Sequence, residues 1–74
     1  MEETELQSRL REHLGLRVGP EMARYLLKKL SDGTLGHGSI SAMGGDAKTG
    51  IPMHQTIPIA TLKALAEDRP THSA

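Results

Sequence analysis

The sequence predicts a small single α+β domain, in which a helical pair packs with a β-hairpin and a last helix in the order α-α-β-β-α. Three observations carry this. Two leucine-rich rows recur at helical spacing in the first thirty residues of the chain. A glycine-rich centre then gives way to period-two alternation of apolar residues. The chain has only 74 residues, so it buries ~60–65% of its unfolded surface, and a second domain is excluded. The domain is expected over residues 1–68, with a polar C-terminal tail over residues 69–74.

The first helix is set by Leu6, Leu10 and Leu14, which fall on one face at i, i+4 and i+8. Thr4 followed by Gln7 fits a capping box. Glu2, Glu3 and Glu5 suit the positive end of the helix dipole. Gly15 supplies a left-handed stop. Gln7, Arg9, Arg11 and Glu12 read as a solvated face. Leu16-Arg17-Val18 reads as a compact turn into a second helix. Gly19-Pro20 opens that helix, because proline at the first helical position loses a donor that has no partner there. Met22, Leu26 and Leu30 form its apolar row, Ala23 and Leu27 widen it, and Ser31-Asp32-Gly33 closes it.

From Gly33 to Gly50 the texture changes. Gly33, Gly36, Gly38, Gly44, Gly45 and Gly50 defeat a helix, since each interior glycine costs ~1 kcal/mol relative to alanine. Ser39 to Met43 reads as a strand and Gly44 to Gly50 as a hairpin loop. The second strand alternates, with Ile51, Met53, Gln55, Ile57 and Ile59 inward and Pro52, His54, Thr56 and Pro58 outward. Two prolines on one side place it at a sheet edge or limit its pairing. Met43 and Met53 are both expected in the core. Pro58 can open a last short helix on Leu62, Leu65 and Ala66, which ends over Glu67-Asp68-Arg69-Pro70.

The core is thin. One tyrosine, Tyr25, is the whole aromatic content, and a lone hairpin is marginal in water. Both facts predict that the fold is completed by dimerisation, with pairing across a two-fold axis, or by docking on a partner. Nine basic and nine acidic residues give a formal charge of zero, which excludes a strongly basic nucleic-acid coat and an acidic DNA mimic. The absence of cysteine excludes a disulfide scaffold, a thiolate metal site and a thiol nucleophile. No apolar run is long enough to span a membrane, and the acidic start does not read as a secretory signal. A cytoplasmic protein is expected, and Met1 with the polar end reads as a complete small product.

The motifs favour binding over catalysis. Gly44-Gly45-Asp46-Ala47-Lys48-Thr49-Gly50 lacks the P-loop spacing and reads as turn chemistry, with Asp46 forming an Asx turn. Gly36-His37-Gly38-Ser39 offers a histidine and a serine without an orienting carboxylate or oxyanion hole. His13, His37, His54 and His72 are scattered, and Met43, Met53 and His54 read as core methionines beside a histidine rather than a soft-metal site. No catalytic residue, cofactor or metal is therefore expected. Arg17, Arg24, Lys28 and Lys29 are the one basic concentration, with Tyr25 beside it. Together with Lys48 at the hairpin tip and His54 they are the candidate partner-binding residues. The expected function is that of a non-catalytic small regulatory protein acting by protein–protein binding, as an adaptor, inhibitor or antagonist. The alternative is a small dimeric DNA-binding regulator that uses the basic helix face or the hairpin tip.

Overall fold

The structure is a computed structural model that describes residues 2–32 and 38–67. Its elements run α1 (Glu3–Leu14), β1 (Leu16–Arg17), α2 (Pro20–Asp32), β2 (Ser39–Asp46), β3 (Pro52–Pro58) and α3 (Ile59–Ala66). The α+β class and the helix–hairpin–helix plan are as the sequence predicts. The addition is β1. The segment read as a turn between helices is a third strand, and the antiparallel sheet has the order β1-β2-β3. The expected tail, together with Leu35 and His37, lies outside the described residues.

Helix α1 begins earlier than its hydroxyl suggested. Glu2 is the N-cap, and its N–H donates to the Glu5 carboxylate at 3.3 Å, so the capping pair is Glu2–Glu5 rather than Thr4–Gln7. Gly15 ends the helix in the left-handed region at φ 65°, a conformation that carries no Cβ penalty in glycine. Gln7 and Arg9 are not solvated as expected. The Gln7 Nε2 donates to the Val18 carbonyl at 2.9 Å, which ties α1 to the start of α2. The Arg9 guanidinium donates to the Leu65 carbonyl at 2.7 Å, placing a cation at the negative end of α3.

The leucine rows meet as predicted. Leu6 and Leu10 of α1, Ala23 and Leu26 of α2, and Leu62 and Leu65 of α3 are buried against Ala42 and Ile57 of the sheet, with Leu16 and Val18 closing the cluster. Full burial of a leucine or isoleucine contributes roughly 1.5–3 kcal/mol. In the β2–β3 ladder Ile40 faces Ile57, Ala42 faces Gln55 and Gly44 faces Met53, and these residues line the helix-covered face. The Gln55 Oε1 is buried there without a hydrogen-bond partner among the described residues. Met43 pairs with His54 on the opposite face, which no described helix covers, and is 58% exposed there. The expectation that both methionines are core is thus corrected. They sit on facing strands one residue out of step, and a one-residue offset reverses the face. Ile51, also expected inside, is exposed beside the turn.

The strand β2 runs through Gly44 and Gly45 to Asp46, so the loop is shorter than predicted. The Asx turn is present: Asp46 Oδ1 accepts from Lys48 N–H at 2.7 Å and Thr49 N–H at 2.9 Å. The Thr49 and Lys48 amides hold the Asp46 carboxyl below its ordinary range. Folding therefore lowers the proton affinity of Asp46. Its contribution to stability is complete above the unfolded value of ~3.9 and is lost as pH falls through the lower folded value. Asp46→Asn keeps an acceptor oxygen but cannot titrate. Thermal midpoints measured below about pH 4 should fall less steeply with acid in Asp46→Asn than in the wild type, and parallel acid limbs would contradict this.

Candidate binding surfaces

The sequence-predicted residues separate into two surfaces and a turn. On α2, Arg24 is exposed, and its Nε–H is hydrogen-bonded to the Glu3 carboxylate of α1, which raises an already high pKa. The Lys29 ammonium lies 5.6 Å from the centre of the Tyr25 ring, a cation–π distance, while Tyr25 itself is 46% exposed. Lys28 is exposed one residue before. Of the expected basic patch, Arg24 and Lys29 therefore have intramolecular partners.

Arg17 does not join that helix face. It lies on β1 opposite Gly45, and its side chain is exposed. The outer face of the sheet reads in rows: Arg17–Gly45–Pro52, then Met43–His54, Ser41–Thr56 and Ser39–Pro58. Most of these side chains are exposed, whereas the helices pack on the other side. Arg17 and His54 thus flank an exposed methionine that is expected, from the sequence, in the core. The signal for Met43 was available only through the register, because parity along β2 is fixed by which residue faces His54. Lys48 is exposed in the turn beyond this face.

Arg11 belongs to the helix face that the sequence reads as solvated. It lines an open cleft of about 750 Å³ where α1, the β1–α2 junction and the hairpin meet. Thr4, Gln7, Ser8, Arg17 and Asp46 are the other polar residues along it. Arg11 and Arg17 make no ion pair among the described residues, and the Asp46 Oδ1 is taken up by the turn amides. None of the described histidines lines this cleft. The described residues contain no group of three or more acidic and histidine side chains placed to hold a metal ion. No described helix is long and apolar enough to cross a membrane.

Besides the two-residue β1, two longer backbone edges border the sheet among the described residues. The Asp46 N–H donates to the Ile51 carbonyl and the Ile59 N–H to the Gly38 carbonyl, each at 2.8 Å. These pairs lie at opposite ends of the hairpin and fix the phase of its ladder, because hydrogen-bonded pairs alternate with non-bonded ones. On β3, Pro52, His54, Thr56 and Pro58 thus direct their backbone groups away from β2. Both prolines occupy positions where an N–H would go unused, which is why β3 carries them as an edge strand. On β2, Ser39, Ser41 and Met43 direct theirs toward the side of β1, yet β1 pairs only with Gly45 and Asp46. Compared with protein-family models, curated proteins and solved structures, the chain matches none.

Proposed function

We propose that this chain is a non-catalytic small regulatory protein that acts in the cytoplasm by protein–protein binding, as a homodimer. The observation that carries the reading is the helix-free face of the sheet, with Met43 58% exposed at its centre between Arg17 and His54. Methionine, arginine and tyrosine are enriched at protein interfaces, and a flexible thioether adapts to a partner surface. The small core and the unpaired stretch of β2 support the dimer, and the cysteine-free composition supports a reducing compartment.

Duplex binding by the basic face of α2 is the weaker reading, because Glu3 and Tyr25 already engage Arg24 and Lys29. A pull-down from native lysate with and without nuclease tests the pair. The expected result is stoichiometric, nuclease-resistant recovery of one protein that Met43→Glu releases, while joint reversal of Arg24, Lys28 and Lys29 to Glu leaves it bound. Recovery that nuclease abolishes and the triple reversal prevents would favour DNA. Its affinity would then fall with salt by about 0.9 in log K per log unit for each phosphate neutralised.

A further inference from the structure

We infer that the second copy joins through the free edge of β2, between Ser39 and Met43, by antiparallel pairing about a two-fold axis at Ser41. The inference rests on the homodimer reading and specifies its interface. Among the described residues no strand lies against β2 between Ser39 and Met43, and the ladder phase set by the Asp46–Ile51 and Gly38–Ile59 pairs turns the N–H and C=O groups of Ser39, Ser41 and Met43 outward. An edge of this kind is a template for another strand unless it is blunted by proline, charge or a covering element. The β3 edge is blunted, with Pro52 and Pro58 on its outward positions. The β2 edge has no proline, and Gly38 to Gly45 contains no charged residue.

Several features select a second copy over an unrelated strand. The free stretch begins where β2 begins, at Ser39, and stops short of Gly45, where Arg17 pairs. Its midpoint is Ser41. Pairing Ser41 with the same residue of the other copy sets Ser39 against Met43 in both directions, fills the whole edge with about six backbone hydrogen bonds, and stops before either β1. The edge is thus complementary to itself in length and phase. A formal charge of zero leaves no net repulsion between copies. An axis normal to the sheet places both helical layers on the same side. The two outer faces then merge into one floor that carries Arg17, Met43 and His54 twice.

The lack of native cysteine makes the test clean. Opposed residues in a hydrogen-bonded antiparallel pair have Cα atoms ~5.5 Å apart, within disulfide reach. Ser41→Cys, oxidised with oxidised glutathione, is expected to give a covalent dimer. An equimolar mixture of His54→Cys and Thr56→Cys chains, which would be opposed in a dimer built on the β3 edge, is expected to stay uncrosslinked. Sedimentation equilibrium of the wild type should give twice the 8.0 kDa of one chain at micromolar concentration, and Ser41→Pro, which removes the central edge donor but no hairpin bond, should give a monomer. A wild-type dimer that Ser41→Cys does not bridge, or that the His54→Cys and Thr56→Cys mixture does, overturns this edge and leaves the homodimer reading standing. A wild type that sediments as a monomer overturns both. Should Ser41→Pro fail to fold, the cysteine pairs decide alone.

Discussion

Leu10→Ala and Leu26→Ala are each expected to lower stability by ~2–5 kcal/mol, the range for removing a buried leucine when its surroundings relax only in part. Both side chains have no exposed surface, and both belong to the cluster that joins the helices to Ala42 and Ile57. A domain of this length holds roughly 4–11 kcal/mol in total, at ~0.05–0.15 kcal/mol per residue. Either change therefore consumes a large fraction of the whole, and the upper end of the range unfolds the chain. Urea titration followed by circular dichroism reads the effect as a lowered midpoint with an unchanged slope. Ile51→Ala is the control: its side chain is mostly exposed beside the turn, and truncation there should stay within about 0.5 kcal/mol. Equal midpoints for Leu10→Ala and the wild type would show that the α1 face is not the packed one.

These two leucines were legible because a helix repeats its signal. Leu6, Leu10 and Leu14 fix a face three times over, and Gly15 marks the end with a residue that tolerates positive φ. The alternation through β3 was legible for the same reason, and its prolines announced the edge. What escaped the sequence lacks repetition or depends on distant partners. Two residues of strand, Leu16 and Arg17, have no period to detect. Arg9 looks solvated on a polar face, since its partner is a carbonyl on α3, the last helix of the chain. The candidate site suffered most. Arg17, Arg24, Lys28 and Lys29 are near neighbours in sequence, but a strand and a helix carry them, and only the sheet register places Arg17 with Met43 and His54.

Gly44→Ala is expected to destabilise by ~1–3 kcal/mol, as overpacking does when neither side can move away. A Cβ built at Gly44 lies 2.3 Å from the Arg17 carbonyl oxygen and 3.2 Å from Leu16 Cδ1. The first obstacle is backbone, so no side-chain rotation relieves it. At Gly45 the nearest atom is the Gly50 carbonyl oxygen at 3.4 Å, and Gly45→Ala should change stability far less, although the two glycines are adjacent and both were read as loop. The closeness at Gly44 also explains the shortness of β1. With no side chain at that position, the Arg17 carbonyl sits close against β2, and after Arg17 the chain leaves the ladder, with Val18 buried in the core and α2 opening at Pro20. Among the described residues, the same departure leaves Ser39 to Met43 without a neighbouring strand. Hydrogen exchange supplies the local readout: in Gly44→Ala the Arg17 and Gly45 amides should lose protection, while the Gly44 amide, directed toward β3, keeps it. Uniform loss across the hairpin would mean instead that the added methyl disturbs the β2–β3 ladder and that β1 is not the element held in place by the glycine.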